Sequence, residues 1–157
     1  MIQIKKIPLK DTKKLQSIDE VFAKVHSNTG LDLYRVKLDY LEILDRLTKK
    51  RLSDEAFFIR GAYDKRKLVG FIRASIEKRS PIYVIEKIGF IHCIMVKPDY
   101  LRKGIAKQLL KEAEKWFLEN NVDKCEIDVV LKNLTAIEAS KKLGFKTYQN
   151  RMVKQVN

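Results

Sequence analysis

The run Ile88 to Val96, I-G-F-I-H-C-I-M-V, passes straight into V-K-P-D-Y-L-R-K-G-I-A-K-Q, and this junction constrains the fold more than any other stretch. The first part is short, apolar and β-branched, which reads as a buried strand. Beyond the junction Ile105, Leu109, Ala113, Trp116 and Phe117 recur at helical spacing. The link carries Arg102, Lys103, Gly104 and Lys107. A strand, a basic glycine turn and a helix start together make a place to hold an anion. The first amides of a helix lack partners, and its dipole favours negative charge there. Gly104 removes the Cβ that would keep a ligand off the backbone, and Ala106 is the next smallest choice. The alternative is an ordinary strand-to-helix turn with solvated lysines.

The 157 residues suit a single domain, 1–157, with a sizeable core. No apolar run approaches the ~20 residues of a membrane helix, and Met1 to Lys10 lacks the apolar centre of a signal peptide. Asn133-Leu134-Thr135 matches a glycosylation site, which has no meaning without export. A soluble, cytoplasmic protein is expected. Cys93 and Cys125, with only His26 and His92 to help, are too few for a zinc site, so buried free thiols and no metal are expected. The net charge of +13 admits nucleic acid, an acidic partner or an anionic cofactor. The basic residues are spread along the whole chain without a block of five, which reads as a solvated lysine-rich surface. Nucleic acid is the remote alternative.

In order, Ile2, Ile4 and Ile7 suggest a strand stopped by Pro8. Leu15, Ile18, Phe22 and Val25 mark a helix closed at Asn28-Thr29-Gly30, and Tyr34 to about Arg51 marks a second. Ala56 to Tyr63 and Leu68 to Ile76 form a hairpin around Asp64 to Lys67. After Pro81 come the long strand, the basic turn and the helix to Asn120, then a strand from Lys124 to Leu131. Leu134, Ile137 and Leu143 outline a short helix ended by Gly144. Phe145 to Tyr148 and Arg151 to Val156 read as closing strands. The order β-α-α-β-β-β-α-β-α-β-β predicts one mixed α/β (α+β) domain, with about seven mostly antiparallel strands and four helices.

Two motifs in this order carry a resemblance. Leu101-Arg102-Lys103-Gly104-Ile105-Ala106 follows V-x-P-x-Y as Val96-Lys97-Pro98-Asp99-Tyr100, and Asn133, Ala136 and Leu143-Gly144-Phe145 form the second. The chain resembles the GNAT superfamily of acyl-CoA-dependent N-acetyltransferases, specifically from about Ile88 to Phe145. The resemblance implies acetyl-CoA as co-substrate and a primary amine as acceptor. It implies that Ile94 and Val96, with Met95 between them, hold the pantetheine arm like an added strand, helped by a bulge. Arg102, Lys103, Gly104, Ile105, Ala106 and Lys107 would cradle the pyrophosphate, and Asn133 would support the arm.

Three positions depart from the family pattern. Leu101 replaces the usual Arg or Gln, Ser140 the tyrosine that protonates the leaving thiolate, and Phe90 the glutamate or tyrosine that helps deprotonate the amine. An unprotonated leaving thiolate (pKa ~8.5) costs roughly 2 kcal/mol at pH 7. Deprotonating a lysine amine there costs about 4 to 5 kcal/mol, and an α-amine about 1 kcal/mol. His92, two residues from Phe90, and Asp128 on the next strand are the replacement candidates for the base. A hydrogen-bonded core histidine and a surface ion pair are the structural alternatives for the two. Tyr83 and Tyr148 could supply a phenol. The missing groups also suit a non-catalytic acyl-CoA-binding module. No signature names the acceptor, and the positive charge favours an acidic, neutral or α-amine one. Monomer and homodimer stay open.

Overall fold

The computed structural model describes residues 1–29 and 32–156. Gly30, named above as a helix end, lies outside them. Five strands form one sheet: β1 (Ile2–Lys6), β2 (Phe57–Asp64), β3 (Lys67–Lys78), β4 (Lys87–Val96) and β5 (Cys125–Ile127), in that spatial order. Neighbours are antiparallel except β4 and β5, which run parallel. The helices are α1 (Thr12–Thr29), α2 (Tyr40–Ser53), α3 (Ile105–Glu119) and α4 (Leu134–Lys142).

β3 is buried without interruption from Leu68 to Ser75, because both faces of the sheet are covered. Val69, Ile72 and Ala74 turn to one cluster, with Ile105, Leu109 and Phe117 of α3. Leu68 and Phe71 turn to the other, with Leu15 and Ile18 of α1. The helical spacing read for α3 is its buried face, where Leu109 is 0% exposed. Truncating such a leucine to alanine costs about 2–5 kcal/mol. Gly89 lets that helix lie close on β4, since a Cβ there would stand 2.6 Å from the Phe117 ring.

Four sequence expectations change. The closing segments Phe145 to Tyr148 and Arg151 to Val156 form no strand, so the described sheet has five strands and not seven. The strand expected from Lys124 to Leu131 shortens to Cys125–Ile127. A three-residue edge offers too little ladder to template two more strands. Side chains hold the tail instead: the Tyr148 hydroxyl donates to the Glu126 carboxylate, and Arg151 pairs with Asp128 at 3.5 Å. The second helix starts at Tyr40, with Tyr34 in a separate 3-10 turn (Asp32–Tyr34) and Leu38 fully exposed. Gly144 takes the left-handed φ of 100° one residue beyond the α4 cap, Leu143.

Candidate active site

β4 and β5 pair only at Gly89–Cys125, Phe90–Glu126 and Ile91–Ile127, while β4 runs on to Val96. The two strands part there. What β4 presents to the opening is decided by a bulge. Ile91 pairs with Ala74 of β3, Cys93 pairs with Arg73, and His92 is the extra residue between them. The bulge reverses the strand's phase. Before it, the Gly89 N–H turns to the β5 side and donates to Lys124 O at 2.9 Å. After it, the Lys97 N–H donates to Val69 O on the β3 side at 2.8 Å. In that register Met95 and Cys93 also turn to β3, so Ile94 and Val96 present their N–H and C=O groups to the gap. Side chains record the same reversal. Ile91 and Cys93 are two residues apart, yet they lie in opposite core clusters. Met95 differs from the expectation: its backbone faces Phe71 and its side chain packs under α1.

At the end of β4 the 3-10 turn Pro98–Tyr100 leads into Arg102, at φ 60°, and Gly104, at φ 73°. Nothing lies within 4 Å of the Cβ position at Gly104. The first helical bond of α3 runs from the Gln108 N–H to Gly104 O at 3.1 Å, so the amides of Ile105, Ala106 and Lys107 come before the ladder begins. These open amides fit a pyrophosphate. Arg102 and Lys107 are exposed beside them. Lys103 points elsewhere, donating to Asp99 O at 2.9 Å with its ammonium over the Tyr100 ring. Asn133 caps α4, its Oδ1 accepting from the Ala136 N–H at 3.1 Å, which leaves its amide nitrogen as a donor.

His92 is half-buried between aromatic rings, 4.9 Å from Phe90 and 5.6 Å from Phe57. Its Nε2 lies 2.8 Å from Ser75 Oγ, and that hydroxyl also reaches Glu77 Oε1 at 3.5 Å. Burial lowers the His92 pKa to about 4, with the positive charges of Arg73 and Arg51 pushing the same way. An unperturbed imidazole titrates at ~6.5, so the fold makes His92 a weaker base than its residue type alone implies. His92 is a neutral imidazole over the physiological range. Ser75 was missed in the sequence because a lone serine in an apolar run carries no signal without its cross-strand neighbour.

Asp128 stands just past β5 and is largely exposed, paired with Arg151. Among the described residues no hydrogen bond or ion pair joins it to His92. It lines a cavity of about 670 Å³ together with Glu126, Ser140, Tyr148, His26 and Tyr34. The end of α1, the 3-10 turn after it and the C-terminal tail thus meet at one pocket beside β5. Its hydrogen bond to Glu126 places Tyr148 here, with the ring exposed, whereas Tyr83, also exposed, lies under Arg79. Cys93 is buried and free, its thiol pushed by burial to about 11, and Cys125 is half-buried. No group of three His, Cys, Asp or Glu residues that could hold a metal ion occurs among the described residues. None of the described helices is long and apolar enough to cross a membrane.

Residues 19–145 match the sequence profile of the acetyltransferase (GNAT) family. The chain belongs to that family. As a GNAT protein it is an acyl-CoA-dependent acetyltransferase with acetyl-CoA as co-substrate. It is 26% identical over 151 residues to spermidine N(1)-acetyltransferase of Thermoplasma acidophilum, covering 92% of this chain and 88% of that one. Its fold is similar to aminoglycoside 6′-N-acetyltransferase AAC(6′)-Ih of Acinetobacter baumannii (TM-score 0.81, 17% identity, 100% of this chain and 99% of that one). It is also similar to a predicted acetyltransferase of Clostridium acetobutylicum solved with acetyl-CoA (TM-score 0.78, 18% identity, 99% and 96%). At these identities the structural likeness speaks to the fold alone.

Proposed function

We propose that this GNAT protein transfers the acetyl group of acetyl-CoA to a primary amine by direct attack in the gap between β4 and β5. The observation that carries the reading is the open edge at Ile94 and Val96, aligned with the unpaired amides that begin α3. Ile94 and Val96 bind the pantetheine arm as a neighbouring strand would, and Asn133 steadies it with its free amide nitrogen. The amides from Gly104 to Lys107, with Arg102, hold the pyrophosphate. A β4 N–H polarises the thioester carbonyl.

The amine enters through the pocket beside β5, where Glu126 and Asp128 offset its charge. Its nitrogen lone pair forms the new C–N bond, and the C–S bond breaks with its electron pair leaving on sulfur. His92 takes the surplus proton on the ring nitrogen not engaged with Ser75. It does so after the C–N bond has formed, when the nitrogen is more acidic than a free ammonium. A base this weak does not generate free amine from a lysine ammonium, so α-amines and other low-pKa amines are the favoured acceptors. Lys132, Lys141, Lys146 and Arg151 line the same pocket and oppose a long polycation. The test is an acetyl-CoA turnover screen against α-amines, lysine peptides, aminoglycosides and spermidine, read as free thiol. Turnover with an α-amine above spermidine supports the reading, and turnover confined to spermidine overturns the acceptor preference.

A further inference from the structure

A second cavity, of about 620 Å³, lies away from the acetyl-transfer gap. It is formed where the end of β1, the start of α1 and the β2–β3 turn meet. Lys5, Lys6, Lys10, Lys14, Lys65 and Arg66 all line it. One acid is present, Asp11, and it is already satisfied. Its carboxylate is buried, paired with Lys14 at 2.8 Å and accepting from the Tyr63 hydroxyl at 2.9 Å. The Lys14 contact comes first among the causes that hold its pKa below the usual carboxylate value. Lys5 lies over the Tyr63 ring at 4.6 Å. Among the described residues, Lys5, Lys6, Lys10, Lys65 and Arg66 have no ion pair.

These six basic side chains are exposed around the concavity, and gathered at short range they repel one another and raise a local positive potential. Two stretches distant in sequence, residues 5–14 and the turn at Lys65 and Arg66, deliver them, so no single amphipathic face explains the cluster. The turn that brings Lys65 and Arg66 holds Lys65 in the left-handed region at φ 54°, a conformation a lysine adopts at a cost. The volume is that of a small-molecule site, whereas a nucleic-acid strand needs an extended track. Lysines supply point charges and Arg66 a planar fork, a combination suited to several phosphate groups on one compact ligand.

We propose that this concavity is a binding site for a small, multiply phosphorylated anion, separate from the CoA cradle at Gly104. The residues of the cradle do not line it. The proposal does not rest on the catalytic reading, since no lining residue is shared, and the Asp64 end of the turn meets Tyr100 beside the cradle at 3.0 Å.

The test is calorimetric titration of the full chain with inorganic triphosphate, in the presence of saturating CoA to fill the cradle. The expected result is one saturable site that weakens with salt. It should weaken about tenfold or more in Lys10→Glu and in Arg66→Glu, since a hydrogen bond to a charged group is worth at least that factor. Lys111→Glu, an exposed change on α3 outside the concavity, should leave it intact. Melting curves of all three variants show whether the fold is kept, and two variants on separate elements guard against one failing to fold. Three results overturn the proposal: no saturable binding, loss of binding when CoA is added, or equal loss in Lys111→Glu. Saturable binding of a single-stranded oligonucleotide with none of triphosphate overturns it as well.

Discussion

Ser75 Oγ lies 2.8 Å from His92 Nε2, and the two meet across β3 and β4 at the bulge that turns Ile94 and Val96 to the gap. The Ser75 hydroxyl has one proton to give. If it goes to the Glu77 carboxylate, which only accepts, Nε2 must be the protonated nitrogen of His92, and the other ring nitrogen keeps its lone pair. Ser75→Ala should therefore lower kcat about tenfold or more while leaving the KM for acetyl-CoA unchanged. Ser75→Thr, which retains the hydroxyl, should recover most of it. Equal kcat in Ser75→Ala and wild type would remove the positioning role.

The depressed pKa of His92 makes a statement about pH. Unfolded, the imidazole titrates at ~6.5, and folded at about 4. Between those values the unfolded chain binds the extra proton. Its contribution to stability is therefore complete above pH ~6.5 and is lost as pH falls toward ~4. Melting temperature followed from pH 7 to pH 4 should decline less in His92→Gln than in wild type. The activity profile should show no inflection near pH 6.5, and its rise should follow the pKa of the amine supplied. An inflection at 6.5 that vanishes in His92→Gln would contradict the half-buried, neutral histidine.

Asp128 is exposed and paired with an exposed Arg151, so the pair itself is worth only ~0–1 kcal/mol. Asp128→Asn should leave the melting temperature nearly unchanged. If it offsets the charge of the incoming ammonium, the variant should raise the KM of the acceptor and spare kcat. A hundredfold fall in kcat at neutral pH, shrinking as pH rises, would make Asp128 the proton acceptor in place of His92.

Gly104 has open space at its Cβ position and a left-handed backbone. Ligand at ~100 times its Kd stabilises the folded chain by about 2.7 kcal/mol, so CoA should raise the melting temperature. Gly104→Glu should remove that rise, because a carboxylate enters the cradle. Gly104→Ala, with the same backbone strain and no charge, should lower the starting temperature and keep part of the rise. An unaltered CoA response in Gly104→Glu would show that the phosphates bind elsewhere.

Gly89→Ala should destabilise the fold by ~1–3 kcal/mol through overpacking against the Phe117 ring. Denaturant unfolding measures this directly. A neutral result would mean that α3 can shift on the sheet.

The order of elements from Ile88 to Phe145, the strand-to-helix junction and the two motifs of the family were legible from the residues alone. These are local: hydrophobic period, glycine and helix-start chemistry are written in adjacent residues. The sequence overstated the sheet, because Arg151 to Val156 has strand composition but meets an edge of only three residues. The tertiary structure alone decided which β4 residues face the gap. A period of two cannot reveal that His92 is an extra residue, and one extra residue exchanges Met95 for Val96 at the open edge. Tertiary structure also decided the state of His92, whose desolvation and nearby guanidiniums come from β3 and α2. The same holds for charge. Lys5, Lys6, Lys10 and Lys14 read along the chain as solvated surface residues and Lys65 and Arg66 as a distant polar turn, and β1 pairing with β2 beside α1 gathers them around one cavity. Electrostatic energy depends on distance through space, which the order of residues does not contain.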